Sequence, residues 1–215
     1  MYVPPPFQEN RQEVIDEIIA SNSLGTLAYS TPSGLGATHI PFVHRRSDDG
    51  GDGVLLAHVA RKNPIWNEVA DGSEVLVIFH GRDAYVSPNW YPSKHETHRL
   101  VPTWNYQVVH VRGTIHFTED VKVLRSIVAL LTHVQETAAA EPKPWKMGDS
   151  EKEFIDQMLA AIIGVEIRVT SISAVSKLSQ NREGRDKAGL VSELRKRGED
   201  QIAEEMEKSG HFPVT

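Results

Sequence analysis

The chain has 215 residues, with Lys+Arg 23, Asp+Glu 29, no cysteine and a formal net charge of −6. At roughly 150 residues per domain, this is one large domain or one domain with an appendage. The missing cysteines exclude disulfides and thiolate metal ligands. The negative balance argues against attraction of the whole surface to nucleic acid and leaves open only a local basic patch. Hydrophobic residues at 40% and charged residues at 24% are ordinary for a globular protein. Met1–Phe7 has no basic stretch followed by an apolar one. No apolar run approaches the ~20 residues of a membrane span, so a cytoplasmic protein without membrane association is expected.

Residues 8–21 read as a helix, with Val14, Ile15, Ile18 and Ile19 on one face. Strands are predicted at Leu24–Tyr29, Gly36–His44, Val54–Val59, Ser73–His80 and Ala84–Ser87. Turn chemistry separates them at Pro32-Ser33-Gly34, Ser47–Gly53 and Gly81-Arg82-Asp83. The Ser73–His80 run is apolar on both faces and reads as central in its sheet. A polar loop rich in aromatics, Pro88–Pro102, precedes a strand at Trp104–Phe117. Helices are predicted at 120–137 and about 150–162, the second ended by Gly164. A last strand, Val165–Lys177, slips phase near Ser171 as a bulge would make it do, and a polar helical tail starts at Arg182. The lack of regular βαβ alternation argues against a doubly wound parallel sheet. The pattern fits an antiparallel barrel with helical additions, mainly β with helices (α+β). Its expected boundaries are a domain over 1–181, with a helical insertion at about 119–163, and a tail over 182–215.

Four segments carry chemistry. In His58–Trp66 an apolar strand ends in Arg61 and Lys62, a planar fork beside a mobile point charge, followed by Asn63 and Pro64. A phosphate monoester needs that combination, and a solvated strand end before a helix start would look the same. In Thr38-His39-Ile40-Pro41, the proline places the strand at an edge or bends it, which frees amides for a ligand or marks an ordinary edge. Two Trp and three Tyr fall within the 22 residues from Tyr85 to Tyr106, suiting a planar ring system or the packing of a long loop. Lys177–Arg182 is almost wholly hydrogen-bonding, which fits a ligand or a plain strand-to-helix junction.

Ten histidines raise the question of metal or haem. His95 and His98 lie three apart in a loop, unlike the helical zinc-protease pattern. His110 and His116 share a strand face but lie about 20 Å apart, too far to share an ion. No metal site is assigned. From Arg182 to Arg197, six cations and three anions give +3, a weak hint of DNA binding.

Taken in order, Met1–Phe7, His39–Phe42, His58–Trp66, Ala84–Tyr91, Val101–Tyr106 and Lys177–Arg182 resemble the PaiB family, the FMN-binding negative transcriptional regulators of bacteria. The resemblance runs from Met1 to about Met206. It implies a split β-barrel related to pyridoxamine phosphate oxidases, with FMN at a homodimer interface. By the same likeness, Arg61 and Lys62 resemble an Arg-Lys pair on the FMN phosphate, with His58, Val59 and Asn63 beside it. Thr38, His39, Ile40 and Pro41 resemble a strand lying along the flavin ring. Gln107 resembles a glutamine that reaches the flavin; Arg182 is similar in place to a C-terminal cofactor-site arginine. Trp104 and Gln180 complete the candidate cofactor residues, and no catalytic residue is named. The resemblance implies a flavin-dependent redox or sensor protein. The alternatives are a repressor acting on DNA, and a haem-binding or haem-degrading split barrel.

Overall fold

The computed structural model describes residues 1–47 and 50–209. A short 3-10 turn at Pro5–Phe7 leads into β1 (Gln8–Glu9) and α1 (Gln12–Ser21). Four strands follow: β2 (Leu24–Thr31), β3 (Gly34–Pro41), β4 (Val43–Arg45) and β5 (Val54–Ala60). Then come α2 (Ile65–Glu68), β6 (Glu74–Val86), α3 (Lys94–Thr97), β7 (Thr103–Thr118) and α4 (Val121–Ala138). The chain closes with α5 (Lys152–Ala160), β8 (Ile162–Lys177), α6 (Gly184–Lys196) and α7 (Asp200–Lys208). The strands make one antiparallel sheet in the order β3-β2-β6-β7-β8-β5-β4, with β1 attached to β8.

Two compact units divide the residues. The first holds Met1–Ile18, His80–Val109 and the described residues from Ser173 onward; the second holds Ile19–Phe79 and His110–Ile172. In the first unit, Ala84, Val86, Tyr91 and Leu178 pack with Leu190, Val191 and Leu194 of α6 and Ile202, Ala203 and Met206 of α7. In the second, alternate residues of the strands are fully buried, among them Leu27, Leu55, Val77, Val111, Ile163 and Ile167. Phe42 and Phe79 meet edge to face at 5.9 Å. Helix α4 covers β4 and β5 by setting Ile127 and Leu131 on Val43 and Leu56.

Four expectations from the sequence are corrected. The first helix starts at Gln12, not at residue 8, because Gln8 and Glu9 pair with Val175 and Ala174 of β8. The Gly36–His44 run is two strands: Pro41 has no donor to continue the ladder, and the Phe42 amide turns aside to the Ser23 carbonyl at 2.8 Å. Gly81-Arg82-Asp83 is no turn, since β6 runs through it for 13 residues. Gly81 is there because a Cβ would sit 2.9 Å from the Cβ of Gln107. Buried positions in β6 change from Val75, Val77 and Phe79 to Ala84 and Val86, so the strand slips phase where a turn was expected. Gly164 does not end a helix; it pairs with His58 inside the sheet, and a Cβ would press on Thr118 at 2.7 Å. In β8, Ile163, Val165 and Ile167 are buried on one face, while at its far end Ala174, Val175 and Ser176 are all buried, so both faces are covered there. Parts of the expected Ser47–Gly53 separator and of the 182–215 tail, residues 48–49 and 210–215, lie outside the described residues.

Candidate functional site

Nine of the candidate cofactor residues fall in the second unit. Thr38, His39, Ile40 and Pro41 lie on β3, opposite Leu27, Thr26, Gly25 and Leu24 of β2. β3 ends the sheet order, so it is the edge strand that its proline predicts, and it runs near β5. Ile40 is buried, while His39 and Pro41 are exposed.

Strand β5 pairs along its length with β8, Val54 to Arg168 through Ala60 to Ile162. Val59 is buried with Leu55 and Ala57 on one face. His58 is on the other face, with Leu56. Its cross-strand partner is Gly164, whose missing Cβ would meet Thr118, Ile127 and Leu124. Opposed residues of an antiparallel pair share a face, so the His58 imidazole lies toward α4. Its Nδ1 is buried without a hydrogen-bond partner, and burial holds its pKa below the ordinary value.

Beyond β5 the backbone of Arg61 is tied at both ends. Its amide donates to the Ala161 carbonyl at 2.8 Å, and its carbonyl accepts from the Trp66 indole at 2.9 Å. The guanidinium donates to the carbonyls of Ala160 (2.8 Å) and Ile162 (3.4 Å) and to the Glu119 carboxylate. Lys62 is exposed and has no ion pair among the described residues. Asn63 spends its carbonyl oxygen on the Ile65 amide at 3.1 Å and so starts α2. These residues fit an FMN phosphate. Lys62 supplies a charge at once, and Glu119 is an exposed competitor whose ion pair is worth about 0–1 kcal/mol, weak enough for a dianion to displace.

The other four candidates fall in the first unit. Trp104 is 53% exposed on β7. It meets Tyr85 edge to face at 6.1 Å, and Tyr85 meets Trp90 at 6.2 Å. Arg197 lies 4.5 Å over Trp90. Gln107 is buried, its amide 3.4 Å from the Ser176 hydroxyl and 3.3 Å from a Glu205 oxygen. Gln180 closes its own turn by accepting from the Leu178 amide at 2.7 Å and donating to the Ser176 carbonyl. Arg182 lies 5.4 Å over the ring of Tyr91. Just before them, Ser179 takes a left-handed backbone, φ 61°, and its hydroxyl donates to Asn105 at 3.0 Å. Sequence reasoning passed over Glu119, which carries no local signal, and Lys177, whose place in a polar motif was the available clue.

Beyond Arg182, the basic run of the tail is consumed internally. Arg185 pairs with Glu96 and Glu183, Arg195 with Glu207, and Lys196 and Arg197 with Glu193. Lys187 is 5% exposed. The expected +3 segment therefore presents little free charge to a polyanion. Among the described residues, no group of three or more His, Asp or Glu could hold a metal, and no helix is long and apolar enough to cross a membrane.

Residues 1–171 match a family described as "Putative FMN-binding domain". The chain is 31% identical over 194 residues to "Protease synthase and sporulation protein PAI 2" of Bacillus subtilis (strain 168), covering 90% of this chain and 89% of that protein. Among solved structures it is similar to a conserved hypothetical protein of Mycobacterium tuberculosis, with a TM-score of 0.58 at 14% identity, over 85% of this chain and 94% of that one. It is also similar to an FAD and heme binding protein of Mycobacterium smegmatis, with a TM-score of 0.56 at 20% identity, over 79% and 73%.

Proposed function

This chain belongs to the PaiB family of FMN-binding split β-barrels, and on that premise we propose that it works in the cytoplasm as a flavin-dependent redox or sensor protein. Its cofactor is FMN. The observation that carries the site assignment is the end of β5, where Lys62 is exposed and the Arg61 fork is held against two carbonyls and Glu119.

Bound FMN supplies a ring that accepts and donates electrons; the chain supplies binding and orientation. Lys62 and Arg61 take the phosphate, and Arg61 stays aimed because its Nε bond to Ala160 fixes the plane of the fork. The open edge of β3 over Thr38–Pro41 offers backbone donors and acceptors to the ring. His58 acts behind this site: it pairs with Gly164 across the strands and lies on the face toward α4, where a Cβ at Gly164 would press on Thr118, Leu124 and Ile127. Val59, Gln107 and Gln180 serve the fold, their side chains being buried or spent on neighbouring groups. We read the protein as a homodimer, supported by the exposure of Leu24 (65%) and Leu35 (92%) on the paired strands β2 and β3.

The test is the visible spectrum of the purified protein, with its mass in solution by light scattering. Flavin bands, or their appearance on adding FMN, are expected. A colourless protein that binds no FMN overturns the reading, and a monomeric mass overturns the dimer. Oxidation of NADH or NADPH by the flavin-loaded protein would separate an enzyme from a sensor.

A further inference from the structure

Two cations of the first unit stand together without an acid between them. Lys177, the last residue of β8, donates to the Thr103 hydroxyl at 2.6 Å. Its ammonium lies 6.0 Å from the ring centres of both Phe7 and Tyr106. Arg182, in the turn beyond, lies over Tyr91. Burial, and then the neighbouring Arg182 charge, hold the Lys177 pKa below the ordinary lysine value. Two acids of neighbouring segments are taken: Glu9, on the strand paired with β8, pairs with Arg11, and Glu183 with Arg185. Among the described residues, neither Lys177 nor Arg182 has a carboxylate partner.

Half-burying two like charges side by side costs solvation and adds repulsion. Aromatic faces offset part of this, about 0.5–2 kcal/mol per cation. They offer no lone pairs, however, to a guanidinium with five N–H groups or to the two remaining hydrogens of the ammonium. An oxyanion would supply both the countercharge and the acceptors. The rings of Phe7 and Tyr106 beside the ammonium suit an apolar ring on the same ligand. Four segments converge here: Phe7 enters because β1 pairs with β8, Thr103 and Tyr106 come from β7, Tyr91 comes from the loop after β6, and the cations flank the Ser179 turn.

We propose that Lys177 and Arg182 form a subsite for the carboxylate or phosphate of a small aromatic ligand, separate from the Arg61 and Lys62 end assigned to FMN. Thr103 aims the ammonium, and Phe7 and Tyr106 flank the ligand's ring. The ligand is an aromatic acid or aryl phosphate that binds in addition to the flavin, and this assignment rests on the proposed flavin-binding function.

Isothermal titration of the purified, flavin-loaded protein with benzoate, phenyl phosphate and neutral anisole tests this. At least one anion binds and anisole does not, and the two anions tell carboxylate from phosphate. Lys177→Met and Arg182→Gln each weaken that anion about tenfold or more, the worth of a charge-assisted hydrogen bond. Lys177→Arg keeps most of the affinity, and bound FMN, read from its absorbance, is unchanged in both Lys177 variants. The proposal is overturned if neither anion binds the parent protein, or if binding survives both Lys177→Met and Arg182→Gln. It is equally overturned if the variants lose FMN together with the anion, which would make the pair part of the flavin site. Should Lys177→Met fail to fold, Arg182→Gln, in the turn beyond the strand, decides the matter alone.

Discussion

The Arg61 guanidinium at the end of β5 donates to the carboxylate of Glu119, just before α4. The side chains are 36% and 59% exposed, so the ion pair is a surface one. Its modest worth, about 0–1 kcal/mol, makes Glu119 a placeholder rather than an anchor. Arg61→Ala is expected to weaken FMN binding by about 1–3 kcal/mol, the range for a hydrogen bond to a charged group. Glu119→Gln should act in the opposite direction and tighten FMN by up to about 1 kcal/mol, because the fork is released to the phosphate. Fluorescence titration of FMN into the stripped protein checks both. Equal affinities for parent and Arg61→Ala would place the phosphate elsewhere.

A second expectation concerns Gly113 on β7. A Cβ there would sit 2.4 Å from the carbonyl oxygen of Arg168 and 2.7 Å from a methyl of Ile167. Backbone cannot swing aside as a long side chain can. Gly113→Ala is therefore expected to lose about 1–3 kcal/mol of stability, the usual cost of overpacking. The urea midpoint measures it; an unchanged midpoint would mean the two strands separate freely at this point.

Asp186 on α6 is 3% exposed and accepts from Ser93 twice, from the amide at 3.0 Å and from the hydroxyl at 2.6 Å. It pins the loop after β6 to the helix. Asp186→Ala leaves two part-buried donors without their acceptor, at a cost toward the low end of about 1–3 kcal/mol. Ser93→Ala, which removes one donor and orphans only part of the carboxylate, should cost less. Thermal melts of the two variants would show that order, and the reverse order would contradict the assignment.

His58 sets a pH dependence. Burial lowers its folded pKa, while the unfolded chain titrates near the ordinary imidazole value of about 6.5. Below that pH the unfolded state takes up a proton that the folded state refuses, so stability falls as pH falls through about 6.5 and stops falling only below the lowered folded pKa. Above it, His58 adds no slope. Denaturation midpoints measured from neutral to mildly acidic pH should show this loss, and His58→Gln should flatten it. A variant with the parent's slope would assign the titration to another group.

How much was legible beforehand follows the range of the interactions. Alternation in Trp104–Phe117 and the 3.6-residue period of 120–137 gave the right elements, because each pattern reports a neighbour on one buried face. Local signals misled where a distant strand decided. Gly81-Arg82-Asp83 has the composition of a turn, yet β7 comes so close at Gln107 that glycine is needed for an unbroken strand. Gly164 looked like a helix stop and instead sits in the sheet opposite His58, where a Cβ would press on Thr118 and on Leu124 and Ile127 of α4. Gln107 and Gln180 had the right chemistry for ligand contacts, but their amides are taken by Ser176 and neighbouring groups.

From the sequence alone came an antiparallel β protein with helical additions, a cation pair at a strand end and the family that uses one, since these depend on periodicity and motif order along the chain. Which cations remain available was settled only by tertiary structure. Glu119 occupies Arg61, and acids along α6 and α7 and in the loop before them neutralise the basic tail. Lys177 and Arg182, by contrast, are left facing aromatic rings. Charge in a sequence is a count. Charge at a site depends on which opposite charge the fold brings within a few ångströms, and strand pairing decides that.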